Sequence, residues 1–118
     1  QTCALPISFL ASMDDSASSV RMGIKDALEG YFYDTRALLR GLRSAVAKHG
    51  RVVIVVGNSA YAKSIIPTDI LVATIGQEEG YRVKSVNVAR HLHVSSQQRS
   101  GLANVAGFMR ESVVVLER

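Results

Sequence analysis

"RVVIVVGNSAY", residues 51–61, decides how this chain is read. Five branched apolar residues, Val52 to Val56, run without a break into Gly57, Asn58 and Ser59. A strand with one wet face alternates apolar and polar positions. A strand apolar on both faces is instead expected under cover above and below, as in a parallel sheet packed between helices. A second run of this kind, "SVVVLE" at 112–117, closes the chain. Between them "YRVKSVNVARHLHV", 81–94, sets Val86 and Val88 among polar neighbours and reads as a half-exposed edge strand.

Helical signals lie before and after the first strand. Ile24, Leu28, Tyr31, Phe32, Thr35, Leu38, Leu39, Leu42 and Val46 recur at three- and four-residue spacing, which predicts an amphipathic helix. Arg36, Arg40 and Arg43 fall toward its other side, and "KHG" at 48–50 ends it with cations and a glycine. Residues 57–66 read as a loop. Pro67-Thr68-Asp69 then opens a second helix, with proline in the first turn and an acid near the positive helix end, and Gly80 stops it.

The fold class is therefore α/β, in the order helix, strand, helix, strand, strand. Helix–strand alternation implies strands running parallel. The last two strands form an antiparallel hairpin with a long loop, and the final strand inserts between the edge strand and 52–56. That arrangement makes the two wholly apolar strands interior.

Bulk composition limits the chain to one small domain of 118 residues. With 47% hydrophobic and 20% charged residues it has the make-up of a folded domain rather than a disordered tail. A net charge of +4 and a pI near 9.6 lean toward a polyanionic partner without requiring one. No apolar run approaches the ~20 residues of a membrane span, and a cytoplasmic location is the expectation.

"QTCALPIS", residues 1–8, is set apart. Gln1–Ile7 can be spelled CAG ACG TGT GCT CTT CCG ATC, a string that resembles a sequencing-library adapter. We read 1–8 as translated adapter, 9–23 as a loop or weakly ordered lead-in, and 24–118 as part of a domain whose natural chain extends upstream. Cys3, the single cysteine, goes with the adapter, and thiol chemistry goes with it.

Five stretches in order, "YFYDTRALLRGLRSAVAKHG", "RVVIVVGNS", "IPTDILVATIGQEEGY", "ARHLHVSSQQ" and "ESVVVLER", resemble the DNA amino-methyltransferases. These enzymes modify the exocyclic nitrogen of cytosine or adenine. The resemblance covers about residues 24–118. Thr35 stands where the family has methionine, and "AKHG" replaces "KPGG". It implies the C-terminal half of a Rossmann-like sheet that ends in a reversed hairpin. It also implies S-adenosylmethionine as cofactor of the intact protein, DNA as its partner, and attack of the base's amino nitrogen on the cofactor's methyl group. The family's Pro-Pro-aromatic strand-end motif and glycine-rich cofactor loop are not in this chain, which holds only Pro6 and Pro67. The missing N-terminal part of the domain would carry both. The 118 residues alone are expected to be inactive, with an exposed apolar edge that favours self-association.

Two sets of candidate residues follow. Gly57, Asn58 and Ser59 stand at the carboxyl end of the 52–56 strand, where open α/β sheets hold ligands. They would rim the cleft for a flipped base; the alternative is a turn in which Gly57 supplies backbone freedom and Asn58 a cap. Arg90, Ser95, Ser96, Gln97 and Gln98 would form a DNA-facing lip; the alternative is a solvated loop beside an edge strand. No catalytic residue is assigned. His91 and His93 share a strand face but have no clear third ligand, so no metal site is assigned either. The rival functions are an RNA or small-molecule methyltransferase on the same fold, and a non-catalytic α/β binding module. An ordered strand over 9–23 would favour the latter.

Overall fold

The structure, a computed structural model, describes residues 19–61, 64–93 and 106–118. Helix α1 spans Ser19–Ala45, strand β1 Arg51–Gly57, β2 Ser59–Tyr61, β3 Ser64–Ile66, helix α2 Thr68–Glu78, β4 Arg82–His91 and β5 Arg110–Glu117. A single 3-10 turn, Ala106–Phe108, leads into β5. The architecture is mixed α and β. Among the described residues no helix is long and apolar enough to cross a membrane. The adapter-like residues 1–8 and the lead-in 9–18 lie outside the described residues.

The sheet order is β1-β5-β4, with β5 antiparallel to both neighbours. Val52 pairs with Leu116, Ile54 with Val114 and Val56 with Ser112. The final strand is thus inserted as expected, and β1 and β4 run parallel to one another across it. The contiguous core lies on one face. Val52, Ile54, Val56, Val83, Val86, Val114 and Leu116 point toward α2, whose Leu71, Val72 and Ile75 cover them. The fully enclosed ones, Val72, Ile75, Val114 and Leu116, contribute roughly 1.5–3 kcal/mol each on burial. Helix α1 adds Leu28, Phe32 and Leu39 to the same cluster.

The expected cover on the other face is not found among the described residues. Val53 and Val55 point away from the helices and are each 60% exposed, and no described strand pairs with the outer edge of β1. Only β5 is interior. Alternation explains why: every second β1 side chain faces away from α2, and apolarity there does not itself supply a covering layer.

Three further boundaries differ from expectation. Helix α1 begins at Ser19, so residues 19–23 are helical rather than part of a loose lead-in, and they do not form a strand. It stops at Ala45, ahead of "KHG". His49, not the glycine, takes the left-handed backbone, at φ 67°. Gly50 is needed for room, since a Cβ there would lie 2.7 Å from Val46 Cγ1 and 2.8 Å from the Ala47 carbonyl. The stretch 57–66, expected as loop, contains the β2–β3 hairpin, with Ser59 paired to Ile66 and Ala60 to Ile65. Three-residue strands are too short to display a period of two. Helix α2 starts after Pro67 and ends before Gly80, at φ 94°, as its flanking residues predicted.

Arg36 departs most from its expected place. It is buried on α1 and forms ion pairs with Glu78, at 2.9 Å, and with Glu79, while Arg40 donates to Glu79 at 2.7 Å. These bonds clamp α1 to the end of α2. Next to them the Tyr81 hydroxyl, buried, donates to the Leu39 carbonyl at 2.6 Å. Tyr81→Phe leaves that carbonyl without this donor and lowers stability by about 1 kcal/mol; a chemical-denaturation midpoint equal to wild type would count against this bond.

Candidate functional site

At the carboxyl end of β1 the chain leaves the sheet through Asn58, whose backbone N–H donates to the Arg110 carbonyl at 2.9 Å. The Asn58 side chain is used at both ends. Its Nδ2 donates to the Phe108 carbonyl at 2.9 Å, and its Oδ1 accepts from the Asp69 backbone N–H at 3.1 Å. The second bond satisfies one of the free N–H groups at the start of α2, a capping role filled from ten residues upstream of the helix. It replaces a local side-chain cap, since Pro67, at the N-cap position, makes no side-chain cap bond.

Asp69 follows in the first turn of α2 and is 0% exposed. Its Oδ2 accepts from Arg110 Nε at 2.9 Å and from Ser112 Oγ at 2.8 Å, and its Oδ1 accepts from the Ile70 backbone N–H at 2.8 Å. Arg110 and Ser112 are two apart on β5 and so present to the same face. Burial pushes the Asp69 carboxyl up, but the bonds from Arg110, Ser112 and Ile70 outweigh it and hold the group below its ordinary 3.8. The Arg110 guanidinium lies 5.2 Å over the centre of the Phe108 ring, an exposed aromatic.

This centre is a framework rather than a reacting group. The Asp69 carboxylate is ionised, enclosed and already provided with three donors, so it has no free lone pair aimed at solvent for proton transfer. On its outer side the exposed Phe108 ring lies against the Arg110 guanidinium, and Ser59, the residue after Asn58, is partly exposed.

The candidate residues separate accordingly. Gly57 and Arg90 are brought to one row of the sheet, both in register with Glu111. Arg90 is exposed and pairs with Glu111 at 3.3 Å. Asn58 is 3% exposed with its amide committed inside the chain, which fits the capping alternative. Ser59 opens the β2–β3 hairpin. Ser95, Ser96, Gln97 and Gln98 lie outside the described residues. Among the described residues no three His, Cys, Asp or Glu side chains gather as a metal site.

Asp69, Arg110, Ser112 and Phe108 were not singled out from the sequence. The available signal was an acid at the start of an otherwise apolar helix, and an Arg immediately before "ESVVV". The three short pieces "GNS", "IPTD" and "RES" meet here through Asn58, Asp69, Arg110 and Ser112.

Acid weakens this arrangement. Asp69 and Glu79 both sit below their ordinary values of 3.8 and 4.5 in the folded chain, Glu79 because Arg40 and then Arg36 donate to it against the opposing effect of burial. Depressed carboxyls contribute stability above their unfolded values and lose it as pH falls through the folded ones. Stability is therefore expected to be level from about pH 7 to 5 and to fall from about pH 4.5 downward, as read from urea midpoints across that range. An unchanged midpoint at pH 3 would rule it out.

No protein-family model matches the chain, no curated protein matches it, and no solved structure does, so the geometry of the Asn58–Asp69–Arg110–Ser112 centre is what bears on its function.

Proposed function

We propose that this chain is the C-terminal part of a site-specific DNA methyltransferase that transfers a methyl group from S-adenosylmethionine to an exocyclic amino group of a base. One observation carries the reading. Three of the five stretches by which the sequence resembles that family meet at the carboxyl end of β1 through direct side-chain bonds, Asn58 to Asp69 and Asp69 to Ser112. That sheet end is where open α/β folds hold ligands. The inserted antiparallel strand β5 supports the same reading.

In this reading the buried centre keeps the strand end and the start of α2 in fixed relation. Ser59, Phe108 and Arg110 would then supply a hydroxyl, an aromatic ring and a cation at this sheet end, groups suited to an extruded base and its phosphate. The methyl donor and the Pro-Pro motif belong to the upstream part of the domain. The amino nitrogen would attack the methyl carbon while the S–CH3 bond breaks, the sulfonium becoming a neutral thioether and the methylated nitrogen releasing a proton to solvent, and the protein's work would be positioning and exclusion of bulk water.

The test has two steps. The genomic reading frame upstream of Phe9 is determined and searched for Ser/Asp/Asn-Pro-Pro-aromatic. The extended protein and the 118-residue chain are then assayed for tritium transfer from labelled S-adenosylmethionine to duplex DNA. Transfer by the extended protein only is the expected result. An upstream frame without the motif, or an extended protein that labels RNA or a small molecule and not DNA, defeats the proposal.

A further inference from the structure

The positive charge of the chain is gathered at one end. Eight of its fourteen basic residues and three of its ten acidic ones lie where β1 begins, β5 finishes and both helices terminate; the rest of the sequence holds six basic and seven acidic residues. Arg36 and Arg40 are engaged with Glu78 and Glu79. Six exposed cations remain, Arg43, Lys48, Arg51, Arg82, Lys84 and Arg118. Arg51 and Arg82 are in register with Glu117 from its two flanking strands, so their backbones stand roughly 10 Å apart. Arg43 reaches Gly80, where a Cβ would lie 2.9 Å from its Nε. Arg118 bonds through its backbone to Gly50 at 2.9 Å and to His49 at 3.3 Å, which sets it beside the turn carrying Lys48. Glu117 answers this group: Arg82 donates to it, and Arg51 and Lys84 lie at 3.6 Å and 4.0 Å. Six cations exceed one carboxylate by five, and the two helix C-termini offset about one unit of that excess.

We propose that this end of the molecule holds the phosphate backbone of a nucleic-acid duplex without reading its bases. Clustered cations displace the counterions condensed on a duplex, a gain that needs charge and no apolar anchor. Among the described residues, none of the exposed large apolar side chains belongs to 41–51, 80–84 or 117–118, whereas protein interfaces are anchored by such groups. Single strands are held by stacking their bases on exposed rings, and Tyr81, the aromatic residue at this end, is buried. A duplex backbone requires neither. The chain's other acids do not cancel the charge. Residues 94–105 contain Arg99 and no acid. Asp14 and Asp15 precede α1, whose 27 residues run about 40 Å at ~1.5 Å per residue and whose far end is the one joined to Arg51 by a short turn. Four or five residues before Ser19 extend at most ~18 Å. Gly57, where the cleft of the proposed methyl transfer would open, lies roughly 20 Å along β1 from Arg51. The inference therefore stands whether or not the chain takes part in methyl transfer.

Binding of a short fluorescent DNA duplex to the full 118-residue chain is followed by anisotropy between about 50 and 200 mM salt. With three or four phosphates neutralised, log affinity is expected to fall against log salt with a slope of about −3 to −4, equally for two unrelated base sequences. Arg51→Gln/Arg82→Gln should make that slope shallower by about two and weaken binding at least tenfold at the lower salt. Arg51→Lys/Arg82→Lys keeps both charges and should keep the slope. Circular dichroism checks that the variants fold. Should the glutamine pair fail to fold, Lys84→Gln, which leaves both arginines on Glu117, is expected to make the slope shallower by about one. The proposal falls if the duplex does not bind at the lower salt, or if the slope is unchanged in the folded glutamine variants. It falls equally if affinity depends on base sequence. Binding of a single strand, or of a polyglutamate peptide, as tight as that of the duplex and with the same variant dependence also overturns it.

Discussion

Exchange of Arg110 for methionine lowers the unfolding free energy by about 3–5 kcal/mol at neutral pH. The methylene stem is largely replaced, so packing changes little. What is lost is the Nε–H bond to Asp69 Oδ2 at 2.9 Å and the counter-charge of a carboxylate with no exposure to water. Ser112 and the Ile70 N–H still donate, but two neutral donors do not offset the desolvation of a buried charge. The pH dependence identifies the cause. With Arg110 gone, burial dominates and raises the Asp69 value above its unfolded one; a raised carboxyl loses stability as pH rises and regains it on protonation. The deficit should therefore shrink between pH 7 and pH 4, although wild type weakens toward acid. Asp69→Asn/Arg110→Met should be more stable than Arg110→Met alone, since no charge is left stranded. Urea titrations at the two pH values decide it. A deficit under about 1 kcal/mol, or one that does not depend on pH, would mean that Asp69 is not held as described.

Leu116→Ala is expected to cost about 2–5 kcal/mol, the range for a fully enclosed leucine. Leu116 is in register between Val52 and Val83 on the central strand, with no exposure. It also defines how closely α2 approaches: a Cβ on Gly76 would lie 2.6 Å and 2.9 Å from the two Leu116 methyls. Gly76→Ala in the wild-type chain sets that crowding, roughly 1–3 kcal/mol, against about 1 kcal/mol of helix propensity. In the Leu116→Ala background the same methyl enters the vacated space and the propensity gain remains. The double variant should then be more stable than Leu116→Ala, with a coupling of roughly 1–3 kcal/mol. Four thermal or urea melts complete the cycle. Strict additivity would show that Gly76 and Leu116 do not share this contact.

Several parts of this arrangement were readable before any coordinates. The unbroken run Val52–Val56 and its counterpart at 113–116 marked two strands without a polar face, and "YRVKSVNVARHLHV" marked a strand at a margin; from these follows the order β1-β5-β4. Pro67 and Gly80 bounded α2 because proline is not tolerated inside a helix and here stands just before it, and because Gly80 takes a backbone angle of φ 94° that side chains resist. All of these signals are local, set by spacing along the chain or by the backbone range of one residue.

Tertiary contact decided the rest. The sequence marked Arg36 as part of a basic helical face, yet Glu78 at the end of α2 and Glu79 just after it make it a buried clamp. Asn58 stood as rim or cap, and its bonds to the Asp69 N–H, eleven positions on, and to the Phe108 carbonyl, fifty positions on, exist only in the folded chain. Asp69 reads from the sequence as a helix-start acid like many others. Only when β5 lies beside α2 do Arg110 and Ser112 enclose it. The apolar side of β1 left uncovered is of the same kind, because hydrophobicity states that a face would be better buried and not which surface buries it. Pairings between residues forty positions apart depend on chain topology, and topology is set by the packing of whole elements rather than by any one stretch.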